Sequence, residues 1–231
     1  MQEVETRIES LPLARITSKF RGPGYRRLKR GIDLVVICFL LPALCLLMLL
    51  IAIVIKLHSP GPVFYRQKRI GKGGIPFDML KFRSMRVGSD NQVHRKYVQR
   101  LIQENIRPKD IGSRSLKLKN DPRITGVGKI IRDLGLDELP QFINVVRGEM
   151  SLVGPRPPMP YEYELYNDWH KQRLQVTPGI TGLWQVIAHN QVSFEEMVSI
   201  DLTYVESMSL WLDLKIIILT PLEMLRGKGG G

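Results

Sequence analysis

The feature that most restricts what this chain can become is the run from Leu34 to Ile55, LVVICFLLPALCLLMLLIAIVI, which has no charge and no hydrogen-bonding side chain beyond two thiols. Wound as a helix, about 22 residues reach ~33 Å, close to the thickness of a bilayer's hydrocarbon core. The segment therefore belongs in a membrane. A signal peptide fits worse, because the stretch is too long, starts too late and lacks a small-residue cleavage site before Lys56. Pro42 lies inside it, removes a backbone donor and clashes with the carbonyl four residues back, so a kink is expected there. Arg26, Arg27, Lys29 and Arg30 precede the run, while Lys56, Arg66, Lys68, Arg69 and Lys72 follow it. Basic flanks stay in the cytoplasm, so both ends want the same side. A re-entrant helix that bends at Pro42 and returns satisfies both flanks; a kinked span is the competing form.

The remaining length allows one compact domain, not two. The expected division is a basic N-terminal arm at 1–30, the membrane helix at 31–57, a cytoplasmic catalytic domain at 58–226 and a flexible tail at 227–231. A net charge of +12 points to anionic partners: nucleic acid, lipid head groups or phosphorylated small molecules. The two cysteines, Cys38 and Cys45, sit in the apolar run about 10 Å apart along a helix axis, so they read as apolar side chains. His58, His94, His170 and His189 show no ligand spacing.

Residues 63–82 read as two strands, VFYRQKRI and IPFDMLKF, joined through Gly71-Lys72-Gly73-Gly74 in a hairpin. Residues 87–120 read as a surface helix and a loop. Near the C-terminus, Trp211, Leu214, Ile218, Leu222 and Leu225 form one helical stripe with Ser209, Asp213 and Thr220 opposite. That helix either lies in the membrane interface or is buried in the core. The fold class expected is α+β, mainly helical: a monotopic membrane protein with a Pro-broken re-entrant helix, a small β-hairpin and interfacial amphipathic helices.

The chemistry concentrates in Arg132-Asp133-Leu134-Gly135-Leu136-Asp137-Glu138-Leu139-Pro140-Gln141. Pro140 is tolerated only in a first helical turn, so a helix should begin at the carboxylate pair. Asp137 could be an N-cap alone. Alternatively, two adjacent carboxylates pointing about 100° apart let one attack phosphorus while the other holds a divalent cation. Free N–H groups at a helix start favour phosphate oxygens, and Arg132 could neutralise a second phosphate. Downstream, Arg156 is fixed between Pro155 and Pro157, either as a phosphate fork or as a surface arginine of an extended connector. Trp184 follows the loop Thr177-Pro178-Gly179-Ile180-Thr181-Gly182, to stack on a base or to fill the core.

In this order the motifs resemble the bacterial sugar transferase family, the monotopic phosphoglycosyl transferases. The resemblance rests on the basic patch and membrane segment, Lys81-Phe82-Arg83-Ser84-Met85, Leu-Asp-Glu-Leu-Pro-Gln and Gly154-Pro155-Arg156-Pro157. Pro178-Gly179-Ile180-Thr181-Gly182, then Asp201 with Tyr204, complete it. It implies transfer of a sugar 1-phosphate from a UDP-sugar to polyprenyl (undecaprenyl) phosphate with release of UMP. Asp137 would be the nucleophile and Glu138 the Mg²⁺ ligand. Arg132 would recognise the polyprenyl phosphate. Arg83, Arg156 and Asp201 would line the phosphate and nucleotide site, with Lys81, Pro157 and Tyr204 in the same motifs. Membrane lipids are the further partner and the bacterial inner membrane, cytoplasmic face, is the expected location; a homo-oligomer is possible. Leu41 before Pro42, Thr177 and Ala188-His189-Asn190 depart from the family pattern, so His189 receives no nucleotide role. A membrane-anchored, non-catalytic module holding anionic lipid or nucleic acid is the competing class. It leaves the carboxylate pair among arginines unexplained, and the Arg/aromatic interleaving of single-strand binders is missing, which disfavours nucleic acid. No residue reads out which sugar is carried.

Overall fold

The computed structural model of the chain describes residues 22–86, 88, 92–107, 110, 123–188 and 192–225. Residues 1–21 of the expected arm, most of the loop before residue 123, His189 and the tail lie outside them. Helix α1, Pro23–His58, contains the entire apolar run; Pro23 sits in its first turn, where a missing N–H costs nothing, and Ser59 closes it by donating its N–H to the Ile55 carbonyl at 3.1 Å. By length and composition α1 is able to cross a membrane. Pro42 lies within the helix, which continues on both sides of it. Tyr25, Lys29, Asp33 and Ile37 are buried at four-residue intervals, and Ile51 and Ile55 resume the pattern, whereas no side chain from 38 to 50 is buried. Phe39, Leu46, Leu49 and Leu50 stand bare instead. Such a surface suits contact with hydrocarbon.

The expected hairpin is present as β1, Phe64–Ile70, and β2, Pro76–Phe82, in antiparallel register from Phe64↔Phe82 to Ile70↔Pro76. Gly73 and Gly74 turn it with φ of +68° and +80°. Helix α2, Gln92–Gln103, is the surface helix read from the sequence. Then come α3, Gly126–Asp133, capped by the Thr125 hydroxyl on Gly128 N–H, a 3-10 turn at Leu136–Glu138, and α4, Gln141–Arg147, ended by Gly148 at φ +83°. Strand β3, Ser151–Val153, pairs in parallel with β4, Gly179–Thr181, a second sheet that the sequence reading did not foresee. Two short helices, α5 at Pro160–Tyr163 and α6 at Asp168–Lys171, lie between those strands. Helices α7, Leu183–Ile187, α8, Phe194–Ser207, and α9, Leu210–Leu225, complete the chain.

The main core gathers Val145, Leu183, Val198, Tyr204, Leu212 and Ile216; a smaller cluster joins Ile51 and Ile55 of α1 to Phe82 and Ile131. Trp184 lies in the main core, 2% exposed, so of its two readings packing is the one observed. On α9 the stripe of Trp211, Leu214, Ile218 and Leu222 faces outward, while Leu212, Asp213 and Ile216 face the core. The buried-core alternative for that stripe is thereby excluded.

Candidate active site

Gly135 adopts a left-handed conformation, φ +66°, which lets the chain leave α3 and tighten at once into the 3-10 turn holding Asp137 and Glu138. The helix itself begins later, at Gln141, with Pro140 as its N-cap. This corrects the expectation that the carboxylates sit in the helix's own first turn: an intact 3-10 turn fits ahead of Pro140 because that residue needs no N–H there. Neither the turn nor α4 has a side-chain cap bond, so Asp137 is not an N-cap. Asp137 is instead 5% exposed, a buried carboxylate facing cations.

Those cations come from two directions. Lys81 on β2 places Nζ 2.8 Å from Glu138 Oε1 and 3.7 Å from Asp137 Oδ2. Arg156 brings Nη1 to 3.6 Å from the same Glu138 oxygen. Arg156 is presented by a stretch whose three successive carbonyls are all held. Buried Arg173 donates to Arg156 O at 3.2 Å, buried Arg69 to Pro157 O at 2.9 Å, and Ile70 N–H to Pro158 O at 2.9 Å. Burial, with Arg156 nearby, brings the Arg69 guanidinium down to about 10. Arg69 was read as a basic flank of the membrane run; its 3% exposure makes it an internal clamp. Arg132, on the last turn of α3, is half-buried, and no side-chain partner is found for it among the described residues.

Three other residues expected at the substrate have their polar groups engaged by the protein. Arg83 fastens the end of α1, donating to Pro60 O at 2.8 Å and to Ser59 O and Oγ at 2.7 Å. Asp201, 1% exposed, forms an ion pair with Arg173, and burial pushes its carboxyl from 3.8 up to about 6 despite that guanidinium. Tyr204 is buried, donating to Asp213 Oδ1 at 2.7 Å and lying 3.2 Å from Val153 O. Burial beside Asp213 raises its hydroxyl well above the ordinary range.

The membrane helix is bound into this arrangement. Arg30 donates to the Val145 and Val146 carbonyls, the latter at 2.8 Å, capping the C-terminus of α4. Asp33 accepts from Ser151 Oγ at 2.7 Å, at the start of the strand that leads to Arg156. Lys29 pairs with Asp213 at 2.6 Å. Lys29 and Arg30, expected at lipid head groups, are thus engaged by the protein, leaving Arg26 and Arg27 exposed. Asp33 had a visible signal, a lone carboxylate at the edge of an apolar run; Arg173 had none.

A hard cation prefers one or two carboxylate oxygens completed by phosphate and water. Asp137 and Glu138 offer such a donor set, and the Lys81 ammonium already bridges them, so the pair fits Mg²⁺ in chemistry and charge.

A carboxylate pair held against Lys81 and Arg156, on a fold tied to a long apolar helix, points to a membrane-associated protein. The chain belongs to the bacterial sugar transferase family, whose profile matches residues 24–227. It is 41% identical over 192 residues to the exopolysaccharide production protein ExoY of Sinorhizobium fredii, covering 83% of each chain. It is 46% identical over 170 residues to the galactosyl transferase CpsE of Streptococcus agalactiae, covering 73% of this chain and 36% of that one. With the undecaprenyl-phosphate galactose phosphotransferase of Salmonella typhimurium it shares 38% identity over 218 residues, 94% of this chain and 44% of the relative. The chain thus spans less than half the length of two of these relatives.

Proposed function

We propose that the protein moves a sugar 1-phosphate from a UDP-sugar to undecaprenyl phosphate, on the cytoplasmic face of the bacterial inner membrane, through a covalent intermediate on Asp137. The observation that carries this reading is the Asp137–Glu138 pair on one 3-10 turn, with Lys81 at 2.8 Å and Arg156 at 3.6 Å from Glu138. An Asp137 oxygen attacks the β-phosphorus, the bond from that phosphorus to the bridging oxygen breaks, and UMP leaves with the electron pair. An oxygen of the polyprenyl phosphate then attacks the same phosphorus, giving the lipid diphosphosugar and freeing Asp137. Lys81 and Arg156 hold the donor phosphates and offset the charge that develops on UMP. Arg132, whose guanidinium has no partner among the described residues, receives the acceptor phosphate. Mg²⁺ held by Glu138 supplies further neutralisation of the diphosphate when bound.

The monotopic, re-entrant form of α1 belongs to the same proposal. Along a straight helix Arg30 and Ile51 would be ~32 Å apart. Yet Arg30 holds Val145 O, while the cluster of Ile51 packs with Leu136 and Leu139, a few residues earlier in the same stretch. A bend at Pro42 reconciles the two and keeps both ends at one face of the membrane.

The test is to incubate the detergent-solubilised protein with a panel of UDP-sugars, Mg²⁺ and polyprenyl phosphate, and to measure UMP. Release of UDP instead would indicate ordinary glycosyl transfer. Labelled donor without acceptor should modify the peptide containing Asp137, and Asp137→Asn should abolish both signals while the protein still inserts. Labelling that never reaches that peptide defeats the covalent step.

A further inference from the structure

Asn144, the fourth residue of α4, is fully buried and uses its carboxamide in an unusual way. Its Oδ1 accepts from Leu80 N–H at 2.9 Å, and its Nδ2 donates to Asp78 O at 2.8 Å and to Glu149 Oε2 at 2.6 Å. In an antiparallel pair, alternate residues turn their N–H and C=O groups away from the partner strand. Asp78 and Leu80 are two apart on β2 and turn theirs toward α4. One side-chain amide therefore stands where a third strand would pair, satisfying an edge whose buried polar groups would otherwise be left open.

The position of this contact matters because of what lies on either side of it. Lys81 follows Leu80 directly, and its Nζ bridges Asp137 and Glu138. Asn144 follows that carboxylate pair by six residues, on the helix the 3-10 turn feeds. The helix end is fixed in its turn, since Glu149 N–H and Met150 N–H donate to the Asn144 carbonyl at 3.0 and 3.3 Å. The hairpin carrying the lysine and the turn carrying the carboxylates are otherwise separate in sequence. We infer that Asn144 is a positioning residue for the transfer reaction, setting the Lys81 ammonium against the Asp137–Glu138 pair by locking the free edge of β2 to α4. It touches no substrate and acts through Lys81.

The inference rests on the reaction proposed above, and two readouts separate its failure from the failure of that reaction. The first needs no turnover: limited lysine acetylation of the full-length protein in detergent, read by mass spectrometry. In the parent, Lys81 is shielded, whereas Lys129 is exposed. Asn144→Ala should raise labelling of Lys81 several-fold and leave Lys129 unchanged. The second is UMP release. Asn144→Ala should lower kcat by about 10- to 100-fold, the scale of a displacement near 1 Å, with KM for the UDP-sugar changing much less. In a Lys81→Gln background the same substitution should cost almost nothing further, since its effect passes through that ammonium. If Asn144→Ala does not fold, Asn144→Ser, which retains one polar atom, carries both measurements. Unchanged Lys81 labelling, or losses that multiply in the double variant, would overturn the positioning role. A parent protein that releases no UMP would overturn the reaction and leave the labelling result standing.

Discussion

Replacing Asp201 by Asn distinguishes a core ion pair from a substrate contact. The carboxylate and the Arg173 guanidinium are 1% and 2% exposed, so neither is appreciably screened by water. Asn keeps a neutral oxygen facing Arg173 but supplies no counter-charge, and the other acceptors of that guanidinium among the described residues, Tyr166 Oη and Arg156 O, are each at 3.2 Å, the long end of the hydrogen-bond range. Removing one member of a buried pair costs about 3–5 kcal/mol, a large share of the ~5–15 kcal/mol by which a domain is stable. For a protein of this size that is a fall in Tm of roughly 6–20 °C. The assay is thermal and denaturant unfolding in one detergent, with the denaturant slope unchanged. Replacing both partners, Asp201→Leu with Arg173→Met, should recover most of the loss, because apolar packing substitutes well for a buried pair. It should not recover full turnover, since Arg156 O loses its donor. Asp201→Asn with stability within ~0.5 kcal/mol of the parent and a raised KM for UDP-sugar would refute this, because surface changes away from such features have effects of that size.

Gly154→Ala would place a Cβ 2.5 Å from Thr177 O and 2.8 Å from Gly179 N, so unfolding should show a loss of about 1–3 kcal/mol or more, with turnover falling as Arg156 shifts. Lys29→Met leaves Asp213 buried without its cation; a loss of about 3–5 kcal/mol in detergent unfolding is expected, with membrane retention unchanged. Arg132→Gln should raise KM for polyprenyl phosphate while KM for the UDP-sugar stays put, as measured by UMP release with each substrate varied.

The parts of the fold legible in the sequence are those fixed by local rules. The membrane helix announced itself through an uncharged run, the hairpin through strands around Gly71 to Gly74, and α2 through Tyr97, Val98, Leu101 and Ile102. The β3–β4 pair escaped because each strand has three residues, too few for any alternation to register, and because it depends on Gly154 and Gly179 lying backbone to backbone. Likewise the orientation of α9 is not a property of its stripe. Trp211, Leu214, Ile218 and Leu222 satisfy the same periodicity whether they face a core or a bilayer, and Leu212 and Ile216 on the opposite side decide the matter by filling the core.

At the candidate site, the residues that converge are more legible in the sequence than those that hold them. Asp137, Glu138, Lys81 and Arg156 lie in compact motifs and do converge. Arg83, Asp201 and Tyr204 lie in motifs just as compact, yet their polar atoms are engaged with Ser59, Arg173 and Asp213. A motif marks a side chain that cannot be exchanged freely, and a buried charge whose partner is distant in sequence is as hard to exchange as a nucleophile. What separates the two cases is where the partner lies. Lys81 meets carboxylates that remain beside each other on a turn, so their charge can be redirected to a ligand. Arg173 meets Asp201 in the core, where dissociation would strand both ions out of water. That distinction depends on burial, and burial is set by residues far along the chain.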